Sequence, residues 1–379
     1  MSEFWVISVP LDKVSLQSLE KLNRAASKTR LASVFRFPIP ELKVGTLDVL
    51  LSVSDDLSRL DAYTESVIQR TAQCMLEVME HSKDKVQENA LANGVDLASY
   101  VTHFQWDRGK YSTSLPLRTL TEVISKQVFQ TETDLKSRSA AYSNVKSSLQ
   151  TIEHRTEGNL HTRTLTDVVK REDLVLGSEY LTTLLVVVSR ENFALWEKTY
   201  ESLTEFVVPR SSRKLLEESE GGIFTVTLFK KAVSDFKAQA RRNKFTVREF
   251  SFEESEKQGE EMTRLHTDKK EQYGTFVRWL KVNFSEVFMA WIHLKALRVF
   301  VESVLRYGLP VNFQTVLLQP DRKRSQHLRG LLDSLYAHLD CTGAASKPDA
   351  GLDIPDMSMA PQDYYSYIFY KININLVTG

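Results

Sequence analysis

The sequence predicts an elongated α+β protein in which an α/β head is inserted between long antiparallel neck helices, with an α/β foot formed from both chain termini. Three observations carry this reading. Residues 117–157 contain neither proline nor glycine, and apolar side chains recur there at heptad-like spacing. Strand and helix patterns alternate over residues 180–252, and a second helical stretch follows over 253–307. Short strand-like segments lie near both chain ends. The expected division is a discontinuous foot at 1–116 and 309–379, a helical neck at 117–158 and 253–308, and a head at 159–252.

The elements follow in order. Residues 4–9 and 34–37 are rich in β-branched and aromatic side chains and read as strands, with a helical pattern over 15–26 between them. Pro38 and Pro40 end the second strand. Ser54, followed by Asp55 and Asp56, has the form of an N-cap opening a helix through Val78. Asp96 caps another helix running to His103, and a loop with Gly109 and Pro116 leads to the long helix. There Leu117, Leu120, Ile124, Val128, Leu135, Tyr142, Val145, Leu149 and Ile152 make one stripe. At about 1.5 Å per residue such a helix spans roughly 60 Å, which predicts a spacer between two bodies.

In the head, strands are expected at 180–188, 223–229 and 245–252, and helices at 192–203 and 231–242. The returning helix is polar at first. From Phe276 to Tyr307 its apolar residues nearly encircle it, which predicts burial, with Ser285 and Glu286 marking a break and a new N-cap. Gly308 and Pro310 stop it. A strand at 311–318, a helix at 322–339, a loop at 342–362 and a strand at 364–376 complete the chain.

Composition excludes several function classes. Lys plus Arg and Asp plus Glu each total 49 in the 379 residues, so no global field holds nucleic acid or an anionic membrane. Cys74 and Cys341 have no metal-ligand spacing, which predicts a reducing compartment, the cytosol. The first ten residues lack the features of a signal peptide and read as a strand. The uncharged segments at 180–189 and 287–292 fall short of the roughly twenty apolar residues a membrane helix needs, so membrane association is expected to be peripheral.

The chemistry-bearing motifs are sparse. Gly221 and Gly222 are the only adjacent glycines, and no phosphate-binding loop pattern surrounds them; they read as a turn. His154 and His161, and His327 and His338, lack zinc spacing. His293, inside the apolar helix, reads as a hydrogen-bonded core or interface histidine. No cofactor or metal is expected. Two local features suggest partner contact: a cationic cluster of Lys230, Lys231, Lys237, Arg241, Arg242, Lys244 and Arg248, and an aromatic run of Tyr364, Tyr365, Tyr367, Phe369 and Tyr370. The cluster reads first as a solvated helix face and next as a docking surface for an acidic partner; no aromatic platform interleaves it for nucleic acid. About half of the aromatic run is expected in the core.

Longer motifs then become legible: Glu3-Phe4-Trp5, Lys43-Val44-Gly45-Thr46-Leu47-Asp48, the residues 82–89, Val207-Val208-Pro209-Arg210-Ser211-Ser212, and the stretches 278–286 and 307–313. With Leu184 to Val188 they resemble, in order and end to end, the C subunit of the vacuolar-type proton-translocating ATPase (V-ATPase). The resemblance implies a boot-shaped, noncatalytic subunit that supports ATP-driven proton transport and organelle acidification. Its head would grip a peripheral stalk made of an E and G heterodimer, and its foot would touch another stalk and the cytosolic domain of the membrane-sector a subunit. It also implies resistance to rotor torque, release during reversible disassembly, actin binding, and a place on the cytosolic face of acidic organelles or the plasma membrane. The competing readings are a cytoskeletal actin linker and a small α/β enzyme.

Overall fold

Two four-stranded antiparallel sheets organise the chain. The computed structural model describes residues 3–79, 82–156, 158–161, 163, 165, 168–339 and 365–376. It divides into two compact units, Met1–Ser139 with Thr275–Gly379, and Ala140–Gly274.

The first sheet takes β1 (Glu3–Pro10), β2 (Ala32–Arg36), β9 (Phe313–Pro320) and β10 (Ile368–Asn373) in the order β10-β1-β9-β2. Sequence-distant strands meet directly, with Trp5 opposite both Lys371 and Leu318. β1 is central and both its faces are covered, which is why it reads as a nearly unbroken apolar run. Trp5, Ile7 and Val9 pack with Leu22 of α1 (Lys13–Thr29) and with Leu328, Leu332 and Tyr336 of α9 (Ser325–Tyr336). On the alternate side, Ser8 meets Ser303 through their hydroxyls at 2.7 Å, and the Tyr307 hydroxyl donates to the Ser8 carbonyl at 2.6 Å. Asp12 caps α1 by accepting from the Ser15 N–H at 2.6 Å.

Between β2 and β9 lies the rest of the molecule. α2 (Leu47–Val78) begins seven residues before the expected cap. Ser54 lies inside it, and its hydroxyl donates instead to Glu302 at 2.5 Å. Then come α3 (Lys83–Asn89), the two-residue strands β3 (Leu91–Ala92) and β4 (Val95–Asp96), and α4 (Leu97–Thr102), whose cap is Asp96 as expected. Asn93 and Gly94, at φ 50° and 79°, make the left-handed turn that joins β3 to β4.

α5 (Leu117–Thr156) and α8 (Phe252–Tyr307) are continuous helices of 40 and 56 residues, and each belongs in part to both units. They run antiparallel in each. In the first unit Gln127 meets Glu286, and Arg138 lies 5.4 Å over the Trp279 ring. In the second, Tyr142 neighbours Tyr273, and Glu153 lies 3.7 Å from His266. The break expected at Ser285 is absent: α8 continues through it, and the Ser285 hydroxyl accepts from the Asn93 N–H at 2.9 Å. Burial explains this, since Phe284, Val287, Phe288, Trp291, Leu294 and Leu297 are each fully enclosed and hold the helix from several sides.

The second sheet takes β5 (Leu181–Ser189), β6 (Arg213–Glu217), β7 (Gly221–Phe229) and β8 (Thr246–Arg248) in the order β6-β7-β5-β8. α6 (Phe193–Thr199) and α7 (Val233–Arg242) pack on one face through Trp196, Phe236 and Ala240, and Leu160, Leu165 and Val169 cover the other. β6 was not foreseen, and β8 is shorter than the expected 245–252 because Phe252 opens α8. The glycine pair starts β7 rather than forming a turn. A Cβ on Gly221 would stand 2.5 Å from the Val188 carbonyl oxygen, and one on Gly222 would stand 2.8 Å from that of Leu216.

Both sheets therefore share one topology: strand, helix, strand, strand, helix, strand, with the fourth strand beside the first and the third between first and second. No period in the sequence announces this repeat. The expected loop at 342–362 lies outside the described residues, and the last strand is confined to Ile368–Asn373.

Candidate interface surfaces

The cationic cluster divides into members already engaged and members that face solvent. Lys230 donates to the Ser178 carbonyl at 2.6 Å, and its own N–H bonds to the Tyr180 carbonyl. Lys231 stands 3.5 Å over the Phe206 ring. Lys237 pairs with Glu249, whose carboxyl is held below its usual range by that hydrogen bond. Arg248 is half-buried and donates to the carbonyls of Leu160 at 3.0 Å and Arg163 at 2.7 Å, so it secures the chain that covers the sheet. Arg241, Arg242 and Lys244 remain, all exposed. No carboxylate pairs with them among the described residues. The helix end gathers them, because Lys244, at φ 60°, turns the chain back while Phe245 enters the core.

The aromatic run is mostly a packing device. Tyr367 is 1% exposed and its ring lies 5.6 Å from Tyr336, so it belongs to the core. Tyr365 is half-buried, its ring 4.7 Å from that of Phe369 and tilted 40° to it, with the Arg329 guanidinium 5.1 Å over its own ring. Tyr364 lies outside the described residues. Arg298 lies 4.5 Å over Tyr370, and burial pushes that phenol up to about 12.

His293 fills a core position. Its Nε2 accepts from the Asp107 N–H at 3.0 Å and its Nδ1 donates to the Met289 carbonyl at 2.8 Å, which fixes the neutral tautomer. Phe104, Trp106 and Tyr111 surround the ring. Burial lowers its pKa from 6.5 to about 4, against the smaller opposing effects of the Met289 hydrogen bond and Asp107. The folded state disfavours the proton, so this histidine's contribution to stability is complete above about pH 6.5 and is lost as pH falls towards 4, amounting to roughly 3 kcal/mol. A His293→Gln variant is expected to be less stable at pH 7 yet to show a flatter stability profile between those limits. Parallel profiles for the two proteins in denaturant titrations would reject this.

A deeper polar cluster joins α2 to α8. The Asp61 carboxylate, 4% exposed, accepts from Trp291 Nε1 and Lys295 Nζ, each at 2.8 Å, and from Arg298. A second cluster joins α2 to α5, where Tyr63, Lys136 and Arg70 surround Glu132 and hold its carboxyl down at about 2. Both sit between packed helices and serve to fix them.

Comparison with known proteins decides the family. A family profile described as the V-ATPase C subunit matches residues 4–368. The chain belongs to the V-ATPase C subunit family. The V-type proton ATPase C subunit 1-B of Danio rerio is 57% identical to it over 380 residues, covering 100% of this chain and 99% of the relative. The V-type proton ATPase C subunit 1 of Macaca fascicularis is 56% identical over 380 residues, with the same coverage. The V-type proton ATPase C subunit 2 of Mus musculus is 50% identical over 426 residues, covering 100% of both chains.

The C subunit is a noncatalytic part of that ATPase, so its working parts are surfaces rather than a reaction centre. Among the described residues no helix of this C subunit is long and apolar enough to cross a membrane, and no group of three or more His, Cys, Asp or Glu could hold a metal ion. One charged feature was missed from the sequence. Arg322-Lys323-Arg324 is a run of three cations before α9, with Arg329 one turn on, and the run itself was the available signal.

Proposed function

We propose that this C subunit acts as a releasable brace, its second unit serving as the head that grips an E and G stalk heterodimer and its first unit as the foot that touches another stalk and the cytosolic domain of the membrane-sector a subunit. It works on the cytosolic face of acidic organelle or plasma membranes, resists rotor torque, and leaves when the two sectors separate. The observation that supports this best is that α5 and α8 each continue from one unit into the other as uninterrupted, antiparallel helices. Helix continuity transmits force with little give, because bending requires lengthening many backbone hydrogen bonds together. The contacts at each end must then be individually modest, as exposed charge pairs are.

Arg241 and Arg242, with Lys244, are the exposed members of the cationic cluster that no carboxylate pairs with among the described residues, and so are open to an acidic stalk. Reversing Arg241 and Arg242 to glutamate is expected to weaken affinity for the E and G heterodimer by about ten-fold or more, equivalent to about 1.4 kcal/mol, with a smaller loss at high salt. Reversing Lys237 should also disturb Glu249 locally but change affinity less. Unaltered binding of the Arg241→Glu/Arg242→Glu variant, measured by calorimetry with the purified heterodimer, removes the end of α7 from the docking surface. Adding the chain to ATPase depleted of its C subunit tests the wider reading, since restored proton pumping is required.

A further inference from the structure

Within the first unit α2 and α5 run in the same direction, since Tyr63 meets Phe129 with ring centroids 5.0 Å apart and, further along both helices, the Cys74 thiol meets the Ser139 hydroxyl. Between them lies a groove of about 520 Å3, walled by Asp56, Arg59 and Tyr63 of α2 and by Glu122, Lys126 and Phe129 of α5. Counting back from the two touching rings, the cations stand four residues away on α2 and three on α5, and the carboxylates stand seven away on each. At about 1.5 Å per residue the walls therefore show one order at nearly matching levels: carboxylate, cation, aromatic ring, each about a turn apart. Like charges face each other across the groove, which repels until a countercharge enters between them. Asp56, Arg59 and Lys126 are exposed and make no ion pair among the described residues. Glu122 pairs with the exposed Arg118 at 3.6 Å, a contact worth little in water. At the aromatic end Phe129 is 57% exposed, yet its ring is backed by Tyr63, whose hydroxyl donates to Glu132, and Leu60, 8% exposed, forms the floor.

We propose that this groove docks an α-helix of a neighbouring subunit that presents, on one face and a turn apart, a cation, a carboxylate and a large apolar side chain. The cation sits between Asp56 and Glu122, the carboxylate between Arg59 and Lys126, and the apolar group on Phe129 and Leu60. A helix fits because its own side chains recur on one face at i, i+3 or i+4, and i+7, the period with which both walls change character. The order of charges sets the register, since a helix shifted by one turn brings carboxylate to carboxylate. The inference deepens the brace reading, on which it rests, by saying what the partner of the first unit must present there.

The test adds the full chain, with photoreactive p-benzoylphenylalanine in place of Phe129, to ATPase depleted of its C subunit, and sequences the peptide captured on irradiation. That peptide is expected to be helical and to carry a cation, a carboxylate and a large apolar residue at the stated spacing. A second chain adds Asp56→Lys/Glu122→Lys/Arg59→Glu/Lys126→Glu, which keeps the net charge and inverts the order. All four residues are exposed, so this variant should retain the thermal transition of the parent. Its capture is expected to fall about ten-fold or more, and to return when the cation and carboxylate of the captured helix are exchanged in turn. Failure of the unsubstituted chain to restore proton pumping would overturn the brace reading and this inference together. With pumping restored, the inference alone is overturned by no capture at position 129, by a captured peptide without the pattern, or by equal capture from the inverted groove.

Discussion

Replacing Asp61 with alanine is expected to destabilise the first unit by about 3–5 kcal/mol. The carboxylate is enclosed between α2 and α8, and its loss strands the Lys295 ammonium, 5% exposed, together with the Trp291 indole N–H. A buried cation without its partner costs far more than the pair contributes when intact. Combining Asp61→Ala with Lys295→Met should therefore recover part of the loss, since the second change removes the stranded charge. Denaturant unfolding of both single variants and the double variant measures this. A loss under about 1 kcal/mol for Asp61→Ala, or simple additivity in the double variant, would show that the cluster is solvated rather than enclosed.

Trp196→Ala is expected to cost about 3–5 kcal/mol and to act on the second unit. The indole is fully buried and meets Tyr200 at 5.6 Å, Phe245 at 5.1 Å and Phe224 at 6.1 Å, while its N–H donates to the Ser212 hydroxyl at 3.0 Å. Truncation leaves a void among rings that cannot collapse together and orphans Ser212. Since domain stabilities are typically about 5–15 kcal/mol, this is a large share. Hydrogen exchange should show amides of β5 and β7 losing protection while those of β1 and β9 keep theirs, because the two sheets have separate cores. Equal loss in both sheets would mean that the units unfold as one.

The fold was legible where side-chain periodicity is strong and local. The stripe from Leu117 to Ile152 predicts α5, and Asp96 marks α4 because its carboxylate does accept the Ser99 N–H. Reading failed where tertiary burial overrides a local signal. Ser54-Asp55-Asp56 has the residues of a cap, yet Leu50 and Val53 upstream are 4% and 2% exposed, and their burial carries the helix back to Leu47. Ser285 likewise has the form of a helix start, but apolar packing on several sides of α8 leaves no room for a break there. β6, Arg213–Glu217, escaped notice because it is a short edge strand with charged ends, and its pairing partner Gly221–Phe229 defines it more than its own residues do. Of the candidate contact residues, composition identified the cations, but only geometry separates Arg241, Arg242 and Lys244 from Lys230, Lys231, Lys237 and Arg248, which hold their own unit together. Tyr367 could not be told from its neighbours, because alternation along a strand assigns faces only once the strand's register is known.

The way α8 joins each sheet makes the chain mechanically lopsided. At its C-terminal end α8 runs on into β9, which is bonded along both sides, to β1 and to β2. At its N-terminal end it follows β8, a border strand with three paired residues on a single side. Tension along the helix therefore meets a strand clamped in the middle of a sheet at one end and a short strip that can peel one bond at a time at the other. Under excessive pull the latter should yield first, acting as a fuse that spares the sheet into which both chain ends are woven.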